Sequence, residues 1–227
     1  LALEAEGAAG TGVSRFVASA YRATHTAIDE LARRFAAPLA YEVATRETVV
    51  ELDLANTVIP VVAPRGRYPV ETYVNGVPEA YRREVGVLKG LVDAEAPSGD
   101  LEWHPAPVSP EDYASEIGLW RQQGRTVVET IAISEEDSVV GWTCLLVASD
   151  SARPSRIEGT FVSAAQRGNR IGAAMKAANL AVAREHGATR VRTSSDDANV
   201  WMRAINAELG FEPVEFEAVL RKERPSA

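Results

Sequence analysis

One uninterrupted run, residues 159–176, constrains the fold of this chain more than any other feature. A β-branched strand (GTFVS) leads through a loop containing Arg167, Gly168 and Gly172 directly into an alanine-rich helix. The backbone N–H groups of such a loop and of the first helical turn form a concave anion site, to which the helix dipole adds its positive end. The run therefore predicts a strand, an anion-binding loop and a helix in succession.

The loop belongs to neither of the two common nucleotide-binding types, because it lacks the patterns G-x-G-x-x-G and G-x-x-x-x-G-K-[ST]. Arg167 and Arg170 add positive charge, which favours a pyrophosphate as the anion. A solvated turn without a ligand is the alternative for this loop.

Helical and extended patterns alternate after residue 66 and predict an α/β domain. We predict strands over residues 68–73, 126–133, 139–148, 156–163, 190–195 and 211–221, and helices over 78–92, 109–123, 170–186 and 198–209. Residues 1–55 read as a helix followed by a long extended stretch, the end of another unit. Residues 56–66 contain two prolines, a glycine and no helical period, and we interpret them as a linker to a complete domain over residues 67–227.

Composition excludes several classes of protein. With 227 residues, 46% apolar and 25% charged, the chain is long enough to bury a core without disulfides or a structural metal. Cys144 is the single cysteine and the three histidines are far apart, so we predict no metal site. No apolar run is long enough to span a bilayer and no signal-peptide pattern is present, so we expect a cytoplasmic protein.

Charge is unevenly distributed along the chain. The net charge of −8 argues against a general nucleic-acid binder. Residues 93–137 carry a balance of −9, whereas residues 153–192 carry +6. The first stretch could meet a cationic ligand and the second a phosphate-bearing one, while two solvated faces remain the alternative.

The loop and the segments after it resemble the GNAT superfamily of acyl-CoA-dependent N-acyltransferases. Residues 167–172 (RGNRIG) match its signature [Q/R]-x-x-G-x-[G/A] at every specified position but one, where Arg170 replaces a glycine. Asn199 precedes a helix that ends in G-F, as in the second motif of the family. The resemblance covers about residues 66–227, and residues 1–55 resemble the remnant of a second, degenerate GNAT-like lobe.

The resemblance implies a GNAT fold of the α/β (α+β) class: a mixed, mostly antiparallel central sheet flanked by helices and splayed at the strand that binds acyl-CoA. It also implies acetyl-CoA as co-substrate. The residues implied to bind it are Phe161 and Val162 through their backbone, then Arg167, Gly168, Asn169, Arg170, Ile171, Gly172, Ala173 and Asn199. Core packing is the alternative for the side chains of Phe161 and Val162.

Two catalytic candidates, Glu158 and Asn206, concern proton transfer. The family often has a tyrosine seven residues after the asparagine, where its hydroxyl protonates the departing thiolate. Asn206 holds that position here, and an amide cannot act as the acid at neutral pH. Period-two alternation places Glu158, Thr160 and Val162 on one face, so we identify Glu158 as a base that acts through water. A solvent-facing strand residue is the alternative for Glu158.

The sequence thus predicts an acyltransferase, a GNAT-type N-acetyltransferase that moves an acetyl group from acetyl-CoA to an amine of a small cationic molecule. The competing hypothesis is a non-catalytic acyl-CoA-binding or scaffold module, which the missing tyrosine and the degenerate lobe support. We expect a small-molecule amine as partner, no nucleic acid and no membrane, and a homodimer is left open.

Overall fold

The computed structural model describes residues 15–23, 30, 34, 36–101, 103–150 and 152–223. The strands are β1 (Arg15–Arg22), β2 (Glu42–Asp53), β3 (Val70–Val74), β4 (Thr126–Ile133), β5 (Val139–Val147), β6 (Ser155–Val162), β7 (Arg190–Asp196) and β8 (Glu212–Glu223). The α-helices are α1 (Glu79–Glu95), α2 (Pro110–Gln122), α3 (Ile171–Glu185) and α4 (Val200–Glu208). The helix predicted over residues 23–35 lies largely outside the described residues.

Local signals in the sequence account for the helix ends. The Ser109 hydroxyl accepts a hydrogen bond from the N–H of Asp112 at 3.0 Å, and Pro110 occupies the first position of α2. The Asn199 side chain caps α4 in the same way, by accepting from the N–H of Met202 at 3.1 Å. From residue 68 onward, every predicted strand and helix is found within three residues of its predicted ends.

A single sheet joins all eight strands in the order β1-β8-β2-β7-β6-β5-β4-β3. Neighbouring strands are antiparallel except β6 and β7, which confirms the predicted mixed, mostly antiparallel sheet. β2 lies between β7 and β8, so the N-terminal segment completes the sheet of the later residues. Leu52 and Leu54 at the end of β2 are fully buried in the core that packs on α3. That residues 1–55 derive from a degenerate lobe stays a prediction.

The sheet is splayed between β6 and β7. Within the described chain, these two strands pair at Ser155 with Val191 and at Arg156 with Arg192, and the register goes no further. β6 continues to Val162 while β7 diverges from it. The edge of β6 from residue 157 onward therefore faces an opening, as predicted for this fold.

A β-bulge in β6 changes which of its residues share a face. Ile157 pairs with Leu145 and Gly159 with Cys144, so Glu158 is the extra residue of the bulge. Leu145 and Cys144 are adjacent on β5 and point to opposite faces of the sheet. Ile157 and Gly159 consequently point to opposite faces too, and the alternation along β6 shifts by one residue after the bulge.

The bulge corrects the predicted orientation of Glu158. The prediction that Glu158, Thr160 and Val162 share a face is wrong, because it assumed strict alternation. The carboxylate of Glu158 pairs with Arg156 at 3.3 Å, on the face opposite to Ile157. Val162 instead packs on the α3 side of the sheet.

Candidate active site

Two cavities continue the opening between β6 and β7. The α3 cleft, of about 870 Å³, is bounded by the loop before α3, the start of α3, the helix α4 and the end of α1. The strand cleft, of about 610 Å³, is lined mainly by β2, β6, β7 and β8. Thr160, Asn199 and Met202 line both cavities. Val92, Ala96 and Pro97 also line both, so the two clefts meet between the end of α1 on one side and Thr160, Asn199 and Met202 on the other.

The N-terminus of α3 opens into the α3 cleft. The N–H of Ala174 donates to the carbonyl of Arg170 at 3.0 Å, which closes the first turn. The N–H groups of Ile171, Gly172 and Ala173 precede this bond and have no partner within the helix. Together with the helix dipole they are arranged as an anion site requires, and the binding of a pyrophosphate there stays a prediction.

Two residues of the loop have left-handed backbone conformations. Gly168 has φ +82° and Arg170, directly before α3, has φ 59°. Glycine adopts this conformation without strain, whereas other residues lose roughly 1–2 kcal/mol in it. The left-handed turn gives a physical reason for the glycine that the family usually has where this chain has Arg170.

Asn169 holds the loop in place through its backbone and its side chain. Its carbonyl accepts from the N–H of Arg65 at 2.8 Å, and its amide donates to the carbonyl of Gln166 at 3.1 Å. The Tyr68 hydroxyl donates to the side chain of Gln166 at 2.6 Å. Arg65 also lines the α3 cleft. Sequence analysis missed Arg65 because it lies in the predicted linker, where the one signal was its positive charge.

Both arginines predicted to bind phosphate are engaged by carboxylates. The guanidinium of Arg167 lies 2.5 Å from Glu95 and also donates to the carbonyl of Val162 at 3.0 Å. Arg170 pairs with Glu208. Glu95 and Glu208 line the α3 cleft as well, so both positive charges are balanced where an anion would bind. Neither pairing was predictable from spacing, because the partners lie on α1 and α4.

Val162 presents its backbone to the opening, whereas Phe161 does not. The N–H of Ser163 donates to the carbonyl of Val140 on β5 at 2.8 Å. In an antiparallel ladder alternate residues direct their polar groups to the same neighbour, so those of Phe161 also point to β5. The N–H and C=O groups of Thr160 and Val162 point the other way. An added strand can thus pair with Thr160 and Val162, and Phe161 lines the cleft without offering its backbone.

A buried pair, Lys176 and Asn206, links α3 to α4 beside the strand cleft. The ammonium of Lys176 lies 2.5 Å from Oδ1 of Asn206, 3.7 Å from the Met202 sulfur and 5.4 Å from the ring centre of Phe211. Burial in these surroundings lowers the pKa of Lys176 to about 7. Sequence analysis missed Lys176, since a lysine in an alanine-rich helix ordinarily points to solvent.

A row of acidic side chains crosses the strand cleft. Glu47 on β2 lies directly opposite Asp196 on β7 and Glu217 on β8. Burial, and beyond it the charges of Glu217 and Asp196, raise the pKa of Glu47. Like charges placed opposite each other destabilise a sheet, so this row favours a bound cation. Of the acidic stretch 93–137, Asp93 contributes to this cleft, which takes its other acids from the strands.

Three further observations concern the described residues. Within them, no three His, Cys, Asp or Glu side chains are arranged to hold a metal ion. Cys144 is fully buried, and burial raises the pKa of its thiol. No helix among these residues has the length and apolar character needed to cross a bilayer.

Comparison with known proteins identifies the family. The family model described as acetyltransferase (GNAT) matches residues 97–211, half of the chain. The chain belongs to the GNAT acetyltransferase family. Acetyl-CoA is the co-substrate of this family, and the free N–H groups at the start of α3 fit its pyrophosphate. No curated protein matches the sequence.

Solved structures of GNAT proteins share the fold. A tandem GNAT protein from the clavulanic acid biosynthesis pathway aligns with 94% of this chain at 22% identity and a TM-score of 0.70. A GCN5-related N-acetyltransferase from Sphaerobacter thermophilus aligns with 94% at 18% identity and a TM-score of 0.66. The chain spans 66% and 62% of the lengths of these proteins, respectively.

Proposed function

We propose that this chain is an N-acetyltransferase that moves an acetyl group from acetyl-CoA to the amine of a small cationic molecule. The observation that carries the proposal is the meeting of two unlike clefts at Thr160, Asn199 and Met202. One cleft ends at a helix N-terminus and the other is crossed by carboxylates. This arrangement suits an anionic donor on one side and a cationic acceptor on the other.

The donor would be held mainly by backbone groups. The N–H groups from Gly168 to Ala173 face the pyrophosphate, and the edge of β6 at Val162 pairs with the pantetheine arm. Arg167 and Arg170 would exchange Glu95 and Glu208 for phosphate oxygens. Acetyl-CoA that must break these two ion pairs binds more weakly than it would bind to unpaired arginines. The cost is small, because an exposed ion pair contributes about 0–1 kcal/mol.

The acceptor would be attracted by the carboxylates of the strand cleft and would present a neutral amine to the thioester. The amine nitrogen attacks the carbonyl carbon, the C–S bond breaks, and the nitrogen loses a proton. Holding both reactants in contact lowers the barrier. The N–H of Thr160 points into the opening where the two clefts meet and is the donor available to the developing oxyanion.

Glu158 is our proposed base, acting on the amine proton through water from the side of the strand cleft. Glu158→Gln keeps the shape and removes the base, so the acetylation rate near neutral pH should fall by about 10² while acetyl-CoA affinity stays the same. Glu212→Gln, on the exposed end of β8, is the matched control. An unchanged rate in Glu158→Gln would leave proton removal to bulk water.

The second candidate function is a non-catalytic acyl-CoA-binding module. It is favoured by Asn206, whose amide stands where a proton-donating side chain is expected. Release of CoA in the presence of an amine separates the two functions, since a binding module retains acetyl-CoA intact.

A panel of acceptors tests the proposal. We expect polyamines and amino sugars to gain an acetyl group faster than neutral or acidic amines, and their rates to fall as salt rises. Faster acetylation of an anionic amine, or no mass shift with any amine, would contradict it. With a small molecule as acceptor and one buried cysteine, we also propose a cytoplasmic location.

A further inference from the structure

Lys176 is a buried ammonium group that the chemistry described so far does not use. Its side chain is 1% exposed, and its neighbours include the Met202 sulfur and the Phe211 ring. Burial of a charged group is costly unless it is paired, and its hydrogen-bond partner is the neutral amide of Asn206. A methionine of similar length would fit such surroundings at a lower cost.

The position of Lys176 connects it to the reaction. It follows Gly172 by four residues on α3, so both lie on the same face of the helix. Its ammonium contacts Met202, which lines both clefts, and Lys176 itself lines the strand cleft. A thioester that reacts where the clefts meet would have this ammonium beside it.

Asn206 fixes the direction of the ammonium. Its Oδ1 accepts the hydrogen bond of Lys176, and its Nδ2 is buried without a hydrogen-bond partner among the described residues. An unpaired buried amide donor costs about 1–3 kcal/mol. A bound group with a lone pair would satisfy it at the same place as the ammonium.

We propose that Lys176 is the catalytic acid of this enzyme, held by Asn206, and that it protonates the departing sulfur of CoA. The inference rests on the proposed function. As the C–S bond breaks, its electron pair moves to sulfur, and an N–H proton of the ammonium is transferred to that pair. The products are the CoA thiol and a neutral Lys176 amine, which water reprotonates.

The energetics favour this direction of proton transfer. An ordinary lysine, with a pKa of about 10.4, is a weaker acid than an ordinary thiol, with a pKa of about 8.5. Burial lowers the pKa of Lys176 to about 7, which makes it the stronger acid of the two. The proton therefore moves downhill to the thiolate.

Lys176→Met tests the acid directly. We expect kcat to fall by about 10² while the calorimetric affinity for acetyl-CoA changes less than twofold, because the donor amides are untouched. Lys89→Met is the control: it removes another largely buried ammonium, one that lies against the rings of two α2 residues and of Trp142 on β5 and lines neither cleft. An unchanged kcat in Lys176→Met would overturn the proposal.

Ionisation of the bound CoA thiol gives a readout that needs no acceptor. At pH 7, where Lys176 is about half protonated, its ammonium stabilises the thiolate, so thiolate absorbance of the CoA complex should be severalfold higher in the wild type than in Lys176→Met. The other charged side chains of the strand cleft are common to both proteins, so the difference isolates Lys176. Asn206→Ala should lower the thiolate absorbance at pH 7 in the same way as Lys176→Met, and equal absorbance in the wild type and Lys176→Met would overturn the proposal.

The double variant Lys176→Met/Asn206→Tyr separates chemistry from packing. A phenol placed at residue 206 supplies a proton donor, so kcat of the double variant should be at least tenfold higher than that of Lys176→Met. An equal kcat would mean that Lys176→Met loses activity through altered packing. Different results would contradict the role of Lys176 and the proposed function. If the thiolate absorbances at pH 7 differ but no amine is acetylated, the proposed function fails and the place of Lys176 beside the sulfur stands.

Discussion

At Lys176 the needs of folding and of chemistry oppose each other. The side chain is 1% exposed and bonds to a neutral amide, so its charge destabilises the folded state. Glu47 presents a similar conflict, because it faces carboxylates on both neighbouring strands. Side chains that cost stability are retained where they serve a site, and both of these line the strand cleft.

Lys176 should make stability depend on pH. Its pKa is about 7 in the folded protein against 10.5 in the unfolded chain. Between these values the unfolded chain binds the extra proton, so the free energy of unfolding rises with pH through this window. Relative to Lys176→Met, the wild type should gain roughly 3–4 kcal/mol from pH 7 to pH 10. Urea unfolding of both proteins measures the difference, and parallel pH curves would show that Lys176 is not buried as described.

Glu47→Gln should stabilise the folded protein and weaken its binding of the acceptor at the same time. The substitution removes a carboxylate whose pKa is raised by burial and by Glu217 and Asp196, so the free energy of unfolding at pH 7 should rise by about 1 kcal/mol. It also removes charge that attracts a cation, so KM for a polyamine should rise severalfold with kcat little changed. Glu212→Gln serves as control. A lower KM would mean that the acidic row does not bind the acceptor.

At the scale of elements, we propose that α3 determines where acetyl-CoA binds. Gly172→Glu should lower acetyl-CoA affinity at least tenfold, about 1.4 kcal/mol, because it places negative charge at the anion site. An acid in the first turn suits the helix dipole, and an added Cβ would lie 3.4 Å from Ile205, so the variant should fold. Gly118→Glu on α2, where a Cβ meets no atom within 4 Å, is the matched control. An unchanged calorimetric affinity of folded Gly172→Glu for acetyl-CoA would show that acetyl-CoA does not bind at the start of α3.

The elements of residues 67–227 were predictable because each has a local cause. Ser109 and Asn199 cap their helices, and the pattern of apolar residues marks the strands. The bulge at Glu158 was not predictable, since it depends on the register of β6 against β5 and leaves no mark in a hydrophobic pattern. Lys176 was missed for a related reason: its partner Asn206 is 30 residues away.

The whole molecule depends on β2. It pairs with β7 on one side and β8 on the other, and Leu52 in β2 and Leu54 directly after it are fully buried in the core on α3. Residues 42–53 look like the end of a separate unit in sequence, because strand order in a sheet is a long-range property. The strand that closes the sheet also carries Glu47 into the strand cleft.

A truncated protein of residues 56–227 tests this dependence. Loss of Leu52 and Leu54 alone should cost about 2–5 kcal/mol each, against a total stability of about 5–15 kcal/mol for a typical domain. The truncation also leaves the edges of β7 and β8 unpaired. We expect no cooperative thermal transition by circular dichroism, and a sharp transition near that of the full chain would show that the later residues form an independent unit.

The central claim is that a donor cleft and an acceptor cleft meet at Thr160, Asn199 and Met202. The most direct measurement of this meeting uses a bisubstrate compound. In it, the sulfur of CoA is joined through an acetyl spacer to a linear diamine, and its affinity for the protein is compared with that of CoA. Simultaneous occupation of both clefts should make it bind at least 100-fold more tightly than CoA, because the second contact becomes intramolecular. Equal affinities for the compound and for CoA would contradict the account.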